Sequence, residues 1–230
     1  MAKNRTNSQV ILRSIEARVN DLLQSPNPTE PFQILARTHA LLLYHIIRIF
    51  DGDIGARAAA ERTQSALEDS AMDLLLHVDF NCPSPQKGAA SQLSLSPFGP
   101  TRQFWRDWIV QESGRRTLLF TFFFLQAYRV ISGQPVGGCD GRLGMCHAFT
   151  LSASLWHAES PLAFARAWHQ GRHLVVENTD FSIVLGQAKA EDVDAYGRII
   201  LTSLIGKDEA EVWFAAKGGS LWPEERQQTN

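Results

Sequence analysis

Cysteine is scarce in this chain. Only Cys82, Cys139 and Cys146 occur in 230 residues. An odd, low count implies no disulfide framework and fits a reducing compartment. Positive charge is not in excess either. The net charge is −2, whereas a lone DNA-binding domain is usually basic. The polar opening MAKNRTNSQ lacks an apolar signal core, so secretion is not expected. The apolar run LLFTFFFL at 118–125 is less than half of the roughly 20 residues a membrane span needs. Arg115 and Arg116 close it upstream, and Gln126 and Arg129 close it downstream. A buried core helix is the better reading, and no membrane association is expected. A Gly-rich phosphate loop, a nucleophile elbow and an HExxH pair are all missing. Ser113 precedes Gly114 without the G-x-S-x-G frame.

What is present is helical periodicity in a chain that is 44% hydrophobic and 20% charged, the range of ordinary globular proteins. Val10, Ile11, Ile15, Val19, Leu22 and Leu23 mark one face of a first helix, which ends before SPNPTEP. A second, strongly apolar helix is predicted over 32–50, with Pro31 near its start. Asp53 is placed to cap a third over 54–78. The stretch NCPSPQKGAASQLSLSPFGPTR reads as a long Pro/Ser-rich loop, assigned to 81–103. A central helix follows from Trp105 to Val130, and Pro135 with the glycines around it breaks the chain after it. Further helices are predicted over 150–158, 161–176 (Ser160 capping, Pro161 first), 191–205 and 209–216. The last carries Asp208 as cap with Glu211 reaching back. The tail over 218–230 is polar and expected to be loose. The fold class is all-α, a single multi-helix orthogonal bundle with that long loop.

Three metal-like patterns are weak. Cys139, Cys146 and His147 could offer zinc soft ligands, but a structural site needs four, usually in closely spaced pairs. His169 and His173 stand four apart, yet Gly171 weakens the helix between them. Asp51 and Asp53 lack the offsets of a calcium loop, and a turn with a helix cap explains them, with Arg57 one turn on from Asp53. Neither a metal nor a cofactor is called for.

The central helix carries a charged island, QESGRR, inside WRDWIVQESGRRTLLFTFFF. Trp105, Ile109, Glu112, Arg116, Leu119 and Phe123 fall on one stripe. Glu112 and Arg116 therefore interrupt an apolar face one turn apart. A buried interhelical lock is favoured over a site that contacts a ligand or partner, because buried charges need built-in partners. The residues assigned to a candidate ligand or partner pocket are Trp105, Trp108, Glu112, Arg115 and Arg116.

Four blocks in order resemble a known family: FQILARTHALLLYHIIRIFDGDIGARAAAER, WRDWIVQESGRRTLLFTFFF, LSASLWHAESPLAFARAW and VDAYGRIILTSLIGKDEAEVWF. Together they are similar to the C-terminal regulatory domain of fungal zinc-cluster or zinc-finger transcription factors, the type associated with secondary-metabolite gene clusters. The resemblance runs over roughly 31–216. Its most specific part is W-x-x-W-[IV]-x-x-E-S-x-R-R, met by Trp105, Trp108, Ile109, Glu112, Ser113, Arg115 and Arg116. Three segments follow from it: an N-terminal helix and linker over 1–30, the regulatory domain over 31–217, and the tail. The family's zinc module needs six cysteines in close pairs, or a Cys-Cys-His-His finger, and no cysteine precedes Asn81. No DNA-contacting residue carries over, and no direct sequence-specific DNA binding is expected.

The resemblance implies a nuclear, or else cytoplasmic, regulator of biosynthetic genes. It would act through a protein partner, such as a DNA-binding transcription factor, or through a small apolar ligand. The alternative from another class is a metal-free natural-product enzyme, a cyclase or isomerase. Its apolar pocket would be shaped by Trp105, Trp108, Phe120, Phe122–Phe124 and Tyr128, with Glu112, Arg116 or His157 as convergent polar groups.

Overall fold

The structure, a computed structural model, describes residues 7–83, 93, 98–135 and 148–223. It is all-α: among the described residues there are ten α-helices and one two-stranded sheet of two residues per strand. The chain divides into two compact units, one from 1–78 with 113–145 and the other from 79–112 with 146–230.

The first unit keeps most of the apolar face predicted for the first helix, but Val10 stands 65% exposed and Leu12, not predicted, is buried. Helix α1 (Ser8–Gln24) buries Leu12, Ile15 and Val19, at the three- and four-residue steps that place side chains on one face. Helix α2 (Pro31–Phe50) begins with Pro31 at its first turn, where the missing N–H is no loss. Ile15, Val19, Leu41, Leu42, Leu67, Phe124 and Leu125 form the core cluster here. Buried Thr38 donates to the Ile34 carbonyl at 3.0 Å or to Ser70, whose hydroxyl lies 2.8 Å away, so no polar atom is stranded where α2 meets the next layer.

The helix predicted over 54–78 is broken. Helix α3 (Ile54–Arg62) stops at Thr63, and α4 (Gln64–Leu75) restarts at once. Asp53 caps α3 as expected, accepting from the Ala56 amide at 2.8 Å. The break follows from a buried polar cluster. The Thr63 hydroxyl accepts from Arg48 Nη2 at 3.0 Å and lies 3.3 Å from His45 Nε2, and His45 Nδ1 donates to the Leu41 carbonyl at 2.8 Å. His45 and Arg48 are 0% and 2% exposed. An uninterrupted helix would not satisfy them in this way.

That cluster has a pH consequence. Burial holds the His45 imidazole below its ordinary value of 6.5, outweighing its hydrogen bond to the Leu41 carbonyl, and burial lowers His39 and His173 in the same direction. As pH falls below the unfolded value, the unfolded chain takes up these protons first, so stability present above about pH 6.5 is lost below it. Melting temperature is expected to fall between pH 7.5 and 5, and His45→Asn to make that fall shallower. An unchanged slope in the variant would remove His45 from this account.

In the second unit, β1 (Phe149–Thr150) pairs antiparallel with β2 (Val175–Val176). Helix α6 (Ala153–Trp156) occupies part of the predicted 150–158, whose first residue is in β1. Helix α7 (Pro161–Gln170) is capped by Ser160, which accepts from the Ala163 amide at 3.1 Å, but it ends six residues before its predicted end. Helix α8 (Ser182–Gln187) was not anticipated. A short 3-10 turn (Ala190–Asp192) replaces the start of the helix predicted over 191–205, and α9 (Ala195–Ile205) begins after the Asp194 cap. Helix α10 (Lys207–Ala216) is preceded by Gly206 at φ 86°, so Asp208 lies in its first turn and is not its cap. The tail is less loose than expected up to residue 223: Leu221 is buried.

Candidate functional site

Helix α5 (Gly99–Ile131) carries all five candidate residues and begins six residues before Trp105, inside the predicted loop. Its 33 residues contribute to both units, Gly99 to Glu112 in the second and Ser113 onward in the first. The predicted stripe keeps every member at least half-buried, with Glu112, Arg116 and Leu119 fully inside. From Glu112 to Thr121 no residue is exposed, so the helix is enclosed around its circumference rather than along one stripe. The run 118–125 is likewise inside, as a core helix should be.

The glycine of the island has a steric reason. A Cβ on Gly114 would stand 2.6 Å from Val78 Cγ2, closer than carbon atoms tolerate. Helix α5 passes so near the chain after α4 that only hydrogen fits. The roughly 1 kcal/mol that glycine costs a helix interior is accepted for that approach.

Within the second unit, Trp105 and Trp108 belong to an aromatic cluster. Trp108 is buried, with its ring 5.0 Å from Phe164, and Phe164 lies 5.6 Å from Trp168. Trp105 packs on the same cluster partly buried. Its indole N–H is enclosed and meets no acceptor among the described residues. Glu112 is 0% exposed, and one carboxylate oxygen accepts the Thr150 backbone amide of β1 at 2.8 Å. In the first unit Arg115 and Arg116 are buried at 2% and 5%. His157, named as a convergent group, instead stands exposed at the C-terminal cap of α6.

The paired-histidine reading fails on geometry. Helix α7 ends at Gln170; His169 Nε2 lies 3.5 Å from the Leu93 carbonyl, and His173 packs on Trp168 with its Nε2 2.9 Å from the Trp168 carbonyl. Among the described residues no three His, Cys, Asp or Glu side chains gather as metal ligands would. Cys139, Cys146 and His147 lie outside the described residues. Asp53 serves as a cap, while the Arg57 guanidinium turns to Glu61 at 3.4 Å and to the Tyr128 hydroxyl at 3.2 Å. No described helix is long and apolar enough to cross a membrane.

Sequence reasoning passed over Arg198 of α9, a buried cation bonded to four backbone carbonyls. It is 6% exposed and donates from Nε to the Val193 carbonyl at 3.0 Å, from Nη1 to Ser220 at 2.5 Å and Leu221 at 3.0 Å, and from Nη2 to Ala190. Its guanidinium also lies 4.3 Å from the centre of the Phe214 ring. Burial lowers its pKa, and Asp194 works against that. An arginine in RIILTSLI gives only one hint, a charge on an otherwise apolar helix face.

Over 214 residues, 92% of this chain, the sequence is 30% identical to transcription factor gsfR2 of Penicillium aethiopicum. The chain spans 49% of that protein's length, about half of it. No family model matches the chain, and no solved structure matches it. The similarity relates this chain to a protein named as a transcription factor.

Proposed function

From its relation to a fungal transcription factor, we propose that this chain is a transcription-factor-like regulatory domain. It modulates expression of a fungal secondary-metabolite gene cluster, working in the nucleus through a protein partner or a small apolar ligand. The observation that carries the reading is the continuity of the similarity, 92% of the chain, from the first unit through the second. The enclosed Trp105 indole N–H, on a cluster that includes Trp108 and Phe164, is where an oxygen on an otherwise apolar ligand would gain a hydrogen bond.

Deleting the gene in its host and sequencing the transcripts tests this reading. Several neighbouring biosynthetic genes are expected to change together, while the purified chain alone leaves labelled promoter DNA unshifted. An unaltered transcriptome under producing conditions, or tight sequence-specific binding by the isolated chain, would overturn it.

A further inference from the structure

Within the first unit, helices α1, α2 and α3 border a cleft of about 260 Å³. Its lining carries both signs of charge, Arg13 and Arg48 against Glu16 and Asp53. Arg13 and Glu16 stand exposed on α1, whereas Arg48 of α2 is 2% exposed. The Arg48 guanidinium is only partly satisfied. Its Nε donates to the Tyr44 carbonyl at 3.3 Å and its Nη2 to the Thr63 hydroxyl at 3.0 Å. Nη1 meets no acceptor among the described residues and is not sealed from water, so its N–H groups open onto the cleft that Arg48 lines. A buried cation with unused donors favours a ligand that accepts from them. The start of α3 supplies a second donor to the same space. The first amides of a helix have no partner inside it, and that end favours negative charge. Ala56 gives its amide to Asp53 at 2.8 Å. The amide of Gly55, which lines the cleft, meets no acceptor among the described residues, and no side chain covers it.

We propose that this cleft binds a small zwitterion of the α-amino-acid class, with its carboxylate on Arg48 Nη1 and the Gly55 amide and its ammonium toward Glu16. Charge balance selects that class. A simple amine would face the buried Arg48 guanidinium, and a plain carboxylate or phosphate would face the Glu16 and Asp53 carboxylates. A molecule with both signs on one short frame meets each with its opposite. Asp53 is already held by the Ala56 amide and lies 3.4 Å from Gln9 Nε2, which leaves the ammonium to Glu16. The volume agrees, since the cleft falls just under the roughly 300–1,000 Å³ of drug-sized pockets and suits a small metabolite. The cleft belongs to the first unit and Trp105 to the second, and binding is measured without any transcript. The proposal therefore stands or falls apart from the regulatory role.

Melting curves of the full chain are to be taken with each common L-amino acid at about 10 mM, well above a Kd of roughly 0.1 mM. One or a few of them should raise the melting temperature. Sodium acetate, methylamine and inorganic phosphate, at matched concentration and ionic strength, should not. Glu16→Gln alters an exposed side chain, so without ligand it should melt like the parent. By calorimetry it should raise the Kd of the stabilising amino acid roughly tenfold or more, the scale of losing one charge-assisted contact. Arg48→Lys should weaken binding at least as much, since an ammonium lacks the fork that serves Thr63 and the ligand together. No rise with any amino acid, an equal rise with acetate or phosphate, or an unchanged Kd in Glu16→Gln would each overturn the proposal. Should Arg48→Lys fail to fold, the Glu16→Gln titration decides.

Discussion

Arg198→Met is expected to destabilise the second unit by about 3–5 kcal/mol, because methionine keeps the apolar stem and deletes every donor. The carbonyls of Ala190, Val193, Ser220 and Leu221 would lose the guanidinium that they share. Hydrogen bonds to a charged donor contribute about 1.5–3 kcal/mol each, and a carbonyl stranded in the interior costs about 1–3. The total stays below their sum because bonds that share one guanidinium are not additive. For a chain of this size the melting temperature should fall by roughly 8–15 °C. Arg198→Lys should recover less than half of the loss, since one ammonium cannot reach carbonyls on three sides. Limited trypsin digestion gives a second readout. With Leu221 released, cleavage after Lys217 should accelerate well before global unfolding. A loss under about 1 kcal/mol would show that the carbonyls find other donors and that Arg198 does not hold the segment.

The same residue shows what the sequence could and could not reveal. Local rules were enough wherever a few adjacent residues decide the outcome. Pro31 and an unbroken apolar period set α2, Ser160 with Pro161 set the start of α7, and Asp53 caps α3 through its own chain neighbour at Ala56. The clearest failures depend on distant partners. Nothing between positions 54 and 78 announces a stop at Thr63; the break comes from Arg48 and His45 on α2, fifteen and eighteen residues away. The two-residue strands at 149 and 175 are too short for any alternating pattern and exist because they pair with each other. Leu221 is buried in a segment whose composition is polar, and part of what holds it is a cation on another helix.

The candidate site divides in the same way. That Glu112 and Arg116 are buried follows from the stripe, because apolar neighbours at helical spacing fix which face is inside; the burial of Arg115, off that stripe, did not follow from it. That Glu112 would meet a strand amide did not follow, since β1 itself was not foreseen. The island's glycine has no reason within its own helix, and the position of Val78 supplies one.

Glu112→Ala is expected to cost about 3 kcal/mol, as it removes a carboxylate that is 0% exposed and leaves the Thr150 N–H without its 2.8 Å acceptor. The isosteric Glu112→Gln separates two causes that alanine merges. Glutamine keeps an oxygen in place for the Thr150 amide but carries no charge. If the main role is to tie β1 to α5 by that hydrogen bond, Gln should retain more than half of the stability that Ala loses. If the charge itself is needed, as a lock with a neighbouring arginine requires, Gln should be nearly as damaging as Ala, because a buried guanidinium left uncompensated costs about 3–5 kcal/mol. Thermal melts of the three proteins in low and high salt distinguish these results, since a buried charge effect survives salt that would screen a surface pair. A third result points away from structure altogether. Were both variants to melt like the parent while reporter transcription fell, Glu112 would belong to a ligand- or partner-binding site, and its burial would then reflect a pocket that closes over what it binds.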